Sequence, residues 1–135
     1  MYDRYEEIEH TADVAIRVHA GTFEGLLYQA ALGMLALMEI PLSSTPVQET
    51  LIITCSFVSR EDILVQALNE VLFQLESKSV VFVPQHVACH AQEAEVSYCG
   101  YRWDSEFSEI KAVTYHQMEI IEDFQGLHCM VVFDV

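Results

Sequence analysis

The sequence predicts an α+β fold in which two helices pack on a largely antiparallel or mixed β-sheet. Two segments carry apolar residues at helical spacing, and the remaining segments alternate apolar and polar residues or are rich in β-branched ones. Along the chain the order is strand, helix, strand, helix and then several strands. Because the chain has 135 residues, of which 52% are hydrophobic, we expect a single domain over residues 1–135.

The first predicted strand runs from Val14 to Ala20, where apolar and polar residues alternate as they do in a half-buried strand. Gly21 ends this strand. Thr22 can cap the helix that follows, and the helical pattern continues until Pro41. The apolar stripe that buries this helix consists of Phe23, Leu26, Leu27, Ala30, Ala31, Met34 and Met38.

A second strand and a second helix follow the turn-forming segment from Pro41 to Pro46. The β-branched residues between Leu51 and Phe57 predict the strand. Ser59 and Asp62 have the spacing of a capping box, which marks the start of the helix, and both helices are expected to cover a sheet on one side. The apolar stripe of the second helix consists of Ile63, Leu64, Ala67, Leu68, Val71, Leu72 and Leu75.

The last third of the chain predicts strands only. Glu122 to Leu127 joins the last two of them, and Gly126 can supply the positive φ angle that a hairpin loop needs. The predicted strands are Val80 to Val83, Val87 to Ala91, Glu95 to Tyr101, Lys111 to Ile121 and His128 to Asp134.

The charge balance limits the classes of partner. Six Lys and Arg residues face twenty-one Asp and Glu residues, which gives a formal net charge of −15. Because nucleic acids are bound mainly by basic groups, we expect no direct nucleic-acid binding. The acidic surface favours divalent cations and basic protein partners, although an acidic coat that only keeps the protein soluble explains the same charge. No apolar run is long enough to span a bilayer, so we expect a cytoplasmic protein without a membrane partner.

Three carboxylates are candidates for a metal site. Asp13 lies directly before the first predicted strand, Asp134 is the end of the last one, and Val135 follows with its terminal carboxylate. If they meet, their repulsion requires a cation among them. Oxygen ligands suit Ca²⁺, Mg²⁺ or Mn²⁺, and His10 could add a nitrogen ligand that favours a transition metal. In the alternative reading, Asp13 is a turn residue and the carboxylates at the chain end only face water.

Lys111 and His116 lie in the segment KAVTYH and are further candidates. Lys111 could neutralise the carboxylates or bind a phosphate, or it could be an ordinary lysine on a strand edge. In a regular strand Lys111 and His116 point to opposite faces, so they cannot line one pocket without a bulge. The sequence contains no nucleophile elbow, P-loop or dinucleotide-binding glycine pattern, and we do not expect the protein to be an enzyme by itself.

Four segments together resemble the archease family, in the same order and nearly from end to end. They are HTADVAI at 10–16, EDILVQALNEVLFQLE at 61–76, EIKAVTYHQMEI at 109–120 and VVFDV at 131–135. The resemblance implies an accessory protein that promotes guanylylation of the tRNA-splicing RNA ligase, and so its multiple turnover, while sealing no RNA itself.

The resemblance also implies roles for particular residues. The metal-binding aspartates of the family match Asp13 and Asp134, and the C-terminal carboxylate of the family matches that of Val135. The functionally important lysine of the family matches Lys111. Two alternatives stay open: a metal-dependent phosphoester hydrolase that works alone, in which carboxylates around a metal activate water, and a chaperone-like module for protein interactions.

Overall fold

The computed structural model describes residues 3–8, 13–42 and 48–135. Within these ranges it contains eight strands and two helices, which confirms the predicted α+β class. In chain order they are β1 (Arg4–Ile8), β2 (Val14–Ala20), α1 (Phe23–Leu37), β3 (Glu49–Ser56), α2 (Arg60–Lys78), β4 (Val80–His90), β5 (Glu93–Arg102), β6 (Ala112–Val113), β7 (Ile121–Asp123) and β8 (Gly126–Asp134).

The larger of two antiparallel sheets has the order β1-β2-β8-β6, and β7 also pairs with β8. Strands β2 and β8 form its centre, with Val14 opposite Phe133 and Ala20 opposite Leu127. Alternate residues of these two strands, Ile16 and Val131 among them, are buried in the hydrophobic core. The residues between them therefore lie on the outer face of this sheet.

The smaller sheet has the order β3-β5-β4. The register between β3 and β5 is unbroken from Glu49–Gly100 to Ser56–Glu93. The register between β4 and β5 shifts between Pro84 and His86. Despite that irregularity β4 is one strand, so the prediction of two strands in its place is wrong, because the pairing with β5 continues on both sides of Pro84.

Both helices begin where their capping residues predict. The amide of Gly25 donates to Thr22 Oγ1 at 3.0 Å, and Ser59 with Asp62 forms the capping box of α2. Helix α1 packs against β1, β2 and β4, whereas α2 packs against β3, β4 and β6. The stripes of both helices meet the two sheets in one hydrophobic core, and of the described residues neither helix is long and apolar enough to cross a membrane.

Two parts of the larger sheet differ from the prediction. Strand β1 was not predicted, because three of its five residues are charged and conceal the strand pattern. The predicted strand from Lys111 to Ile121 is wrong, since only β6 and β7 at its two ends pair with β8. Between them the chain turns at His116, and Gln117 has a φ angle of 56°. The hairpin prediction is confirmed at Gly126, whose φ is 122°.

His19 lies on the outer face of the larger sheet, opposite Arg4 on one neighbouring strand and His128 on the other. Its ring stacks on that of His128, with centroids 5.8 Å apart. The residue is only 9% exposed, and neither ring nitrogen has a hydrogen-bond partner among the described residues. Burial and the nearby charge of Arg4 lower the pKa of His19, which keeps the ring neutral.

We therefore expect stability to fall in mild acid. The unfolded chain takes up a proton on His19 at the ordinary pKa of 6.5, whereas the folded protein resists this protonation. Neutral His19 therefore leaves the free energy of unfolding at its full value above that pH, and the free energy of unfolding decreases as the pH falls below it. Urea unfolding between about pH 7.5 and about pH 5.5 should show a smaller pH dependence for His19→Phe than for the wild type. His90→Phe, at an exposed position in β4, is the control; equal slopes for all three proteins would contradict the prediction.

Candidate metal centre

Three strand ends meet at one edge of the larger sheet. Strand β2 begins there, its antiparallel neighbour β8 ends there, and β6 begins on the other side of β8. The last ladder pairs at this edge are Val14 with Phe133 and Ala112 with Asp134. Residues at these strand ends or just beyond them are therefore brought together, although they are far apart in the sequence.

Asp13 and Asp134 are two of these residues. One further step in the β2–β8 register places Asp13 directly opposite Asp134, because each is the neighbour of a residue in the Val14–Phe133 pair. Opposite residues of an antiparallel pair share a face, and here it is the outer face. Asp13 is half-buried and Asp134 is exposed. Two like charges in this arrangement destabilise the pair, and a cation between them would remove the repulsion.

Lys111 and Val135 lie at the same edge. The amide of Lys111 donates to the carbonyl of Asp134 at 2.7 Å, which extends the β6–β8 pairing by one bond. The same register places Lys111 across from Val135. The Lys111 side chain is exposed. The structure therefore places four of the predicted site residues, Asp13, Asp134, Val135 and Lys111, around one sheet end.

The other two predicted residues stand apart from this group. His10 lies outside the described residues. His116 is exposed in the turn after β6, where its amide donates to Thr114 Oγ1 at 3.3 Å. Thr114 is already bonded to the carbonyl of Val132, so the chain at His116 has moved along β8 away from Asp134. The structure does not bring His116 to the sheet end.

The chemistry of the donor set fits a hard divalent cation. Asp13 and Asp134 offer oxygen atoms only, which Ca²⁺ and Mg²⁺ prefer, and Mn²⁺ accepts the same ligands. In the described ranges, no group of three or more His, Cys, Asp and Glu residues could hold a metal ion. A cation bound by these two aspartates would need further ligands, from Val135, from water or from a partner protein.

Asn69 of α2 holds the segment that leads away from this edge. Its side-chain oxygen accepts from the amide of Val113 at 2.9 Å, and its side-chain nitrogen donates to the carbonyl of Val113 at 3.1 Å. This pair of bonds satisfies the outward backbone groups of β6 and ties that short strand to the helix. This role of Asn69 was not predicted, although a polar residue next to the apolar stripe of a helix is a usable signal.

The first turn of α2 holds the rest of the segment. The amide of Ile120 donates to Glu61 at 2.9 Å, and the hydroxyl of Tyr115 donates to Asp62 at 3.1 Å. Hydrogen bonds from the Val58 and Ser59 amides lower the pKa of Asp62. Burial raises the pKa of Glu61, but the bond from Ile120 and further hydrogen bonds bring it below its ordinary value. These anchors explain why residues 114–120 form no regular strand.

The family model of the Archease protein family (MTH1598/TM1083) matches residues 5–135. The chain belongs to the archease family. Protein archease of Methanosarcina mazei is 31% identical to it, over 98% of this chain and 96% of that protein. Protein archease of the zebrafish Danio rerio is 29% identical, over 98% of this chain and 85% of that protein.

Two solved structures share the fold of this archease-family chain. The crystal structure from Thermotoga maritima, described as an archease and possible chaperone, has a TM-score of 0.66 and 28% identity, and the match covers 95% of this chain and 94% of that one. The solution structure of protein 1598 from Methanobacterium thermoautotrophicum has a TM-score of 0.73 over 97% and 98% of the two chains; at 22% identity it supports the fold alone.

Replacing Asn69 should loosen the anchored segment. In Asn69→Ala the backbone N–H and C=O of Val113 lose their hydrogen-bond partners. We expect the free energy of unfolding to fall by about 1–3 kcal/mol. Asn69→Asp keeps the acceptor and loses only the donor to the Val113 carbonyl, so its free energy of unfolding should fall by less than that of Asn69→Ala. Chemical denaturation of the three proteins measures both effects. Equal stability of Asn69→Ala and the wild type would contradict the anchoring role.

Proposed function

We propose that this archease-family protein is an accessory activator of the tRNA-splicing RNA ligase, not a stand-alone enzyme. In this proposal it acts in the cytoplasm and promotes guanylylation and multiple turnover of the ligase. It does so with a divalent cation, Ca²⁺, Mg²⁺ or Mn²⁺, held by Asp13, Asp134 and Val135. The observation that carries the proposal is that Asp13 and Asp134 flank the last ladder pair of β2 and β8, Val14 with Phe133, at the end of the sheet where Lys111 precedes β6.

The incompleteness of this site supports a role in a complex. The two aspartates lie at an exposed sheet edge, and no further His, Cys, Asp or Glu of the described part completes a cation site with them. A site with open coordination positions suits a cation whose remaining ligands come from a partner or its nucleotide. When bound, a divalent cation neutralises charge on phosphate oxygens during phosphoryl and nucleotidyl transfer. Lys111 adds a positive charge at the same edge.

The net charge supports the choice of partner class. At −15 the protein repels polyanions and attracts basic protein surfaces, so contact with RNA would occur through the ligase. The Thermotoga maritima relative, described as a possible chaperone, favours a second candidate, a general chaperone-like module. The two candidates differ in whether the aspartates matter, because a general module works without a cation at this edge.

Substitution of either aspartate should abolish stimulation of the ligase. Asp13→Asn and Asp134→Asn keep the side-chain shape but remove the charge that holds a cation, and we expect stimulation to fall at least about tenfold. Asp104→Asn, on the exposed segment after β5, is the matched control and should stimulate as the wild type does. The measurement is multiple-turnover RNA ligation by the ligase of the same organism, with GTP and Mn²⁺.

The outcomes separate the candidates. Full stimulation by both site variants would refute the cation site. No stimulation by the wild type, with an active ligase, would refute the activator role. Suppression of aggregation of unrelated proteins, equally strong in Asp134→Asn, would then favour the chaperone-like module. Hydrolysis of phosphoesters by the purified protein, lost on chelation, would support the stand-alone hydrolase.

A further inference from the structure

Strand β3 is an edge strand, and among the described residues it pairs with β5 alone. The amide of Phe57 donates to the carbonyl of Gln92, and this bond continues the β3–β5 register, so the odd-numbered residues of β3 bond to β5. The even-numbered residues therefore direct their backbone groups away from the sheet. At the end of the strand Gln66 donates to the carbonyl of Ser56 at 2.8 Å. Among the described residues, no hydrogen bond uses the outward groups of Thr50, Ile52 or Thr54.

Two other edge strands, β4 and β6, are protected where β3 is not. In β4 the outward amide of Val87 donates to the carboxylate of Glu24 at 2.7 Å, and Pro84 has no amide hydrogen. In β6 both outward groups of Val113 are bonded to Asn69. Strand β3 has no proline, no bulge and no lysine, the usual features that prevent strand addition. Its edge is therefore open to a further strand.

A groove of about 450 Å³ runs beside this open edge, between β3, α2 and the segment after β6. Two large apolar side chains that line it are exposed: Phe73 is 58% exposed and Tyr115 55%. The residues that line it are Ile53, Thr54, Cys55, Val65, Gln66, Asn69, Glu70, Phe73 and Tyr115. An added strand would find unpaired backbone groups on one side and an apolar floor for alternate side chains.

The negative charge around the groove indicates which kind of segment it binds. Its lining contains Glu70 and no Lys or Arg, and Glu95 lies beside Thr54 on the outer surface of the sheet. Together with the net charge of −15, this favours a segment whose outward side chains are basic. A second copy of this chain would instead place acidic surfaces against each other, which opposes self-association.

We propose that β3 and this groove bind an extended segment of the ligase, with alternating apolar and basic side chains, as a fourth strand of the β3-β5-β4 sheet. This rests on the activator function proposed above and names the surface by which the partner docks. Two residues of the groove also anchor the segment that begins at Lys111: Tyr115 bonds to Asp62, and Asn69 bonds to Val113. A strand bound in the groove would therefore lie against the segment that leads to the candidate metal centre.

Two exposed phenylalanines provide a matched test. Phe73 lies in the groove, whereas Phe124, 96% exposed in the hairpin loop between β7 and β8, lies outside its lining. Phe73→Lys introduces a charge that repels a basic segment, and we expect the dissociation constant of the complex with the ligase to rise at least about tenfold. Phe124→Lys should bind as the wild type does. Titration calorimetry measures the affinities, and circular dichroism checks that both variants are folded.

Hydrogen exchange of the labelled protein, free and bound to the ligase, tests the strand directly. The amides of Thr50, Ile52 and Thr54 should exchange at least about tenfold more slowly in the complex, while those of Leu51 and Ile53, already bonded to β5, should change less. Unchanged exchange of the three outward amides in a formed complex would overturn the proposal.

The remaining outcomes are distinct. Equal affinity of Phe73→Lys and the wild type, with stimulation intact, would overturn the docking surface and leave the activator function standing. A wild type that neither binds nor stimulates the ligase would overturn both. Light scattering addresses self-association: a dimer of the isolated protein that Phe73→Lys converts to a monomer would assign the groove to a second copy and overturn the proposal.

Discussion

The antiparallel pairing of β2 with β8 is the interaction on which the candidate site depends. It joins a segment near the start of the sequence to its last strand, and its register alone sets Asp13 opposite Asp134. The apolar side of the same pairing, with Ile16 and Val131 fully buried, fixes that register, because a slip of one residue would turn these side chains to solvent. The burial of core residues and the convergence of two carboxylates thus have one cause.

Polar side chains of α2 extend this arrangement beyond the sheet. Asn69 bonds to Val113 of β6, and Asp62 and Glu61 bond to the segment between β6 and β7, so side chains of a helix hold this part of the chain. The same helix packs against β6 and also lines the groove beside β3. Helix α2 therefore contacts both the groove and the segment that follows Lys111.

Much of the fold could be predicted from patterns that are local in the sequence. The alternation from Val14 to Ala20, the cap at Thr22 and the capping box at Ser59 each determine their own element. The strand predicted over Lys111 to Ile121 failed because side chains of α2, 44 to 59 residues away in the sequence, bond to Val113, Tyr115 and Ile120. The site was partly predictable, since Asp13 and Asp134 flank strong strand signals. The exclusion of His116 depended on the turn at Gln117, which no pattern indicated.

The most direct test of this account is the effect of Mn²⁺ on the amide signals of the isotopically labelled protein, because a bound paramagnetic ion broadens the signals nearest to it. We expect the signals of Asp13, Lys111 and Asp134 to broaden first, and we expect Asp134→Asn to remove this selectivity. Broadening that is spread evenly over the acidic surface, or centred elsewhere, such as on the turn near Glu93, would contradict a shared cation site at the end of β2 and β8.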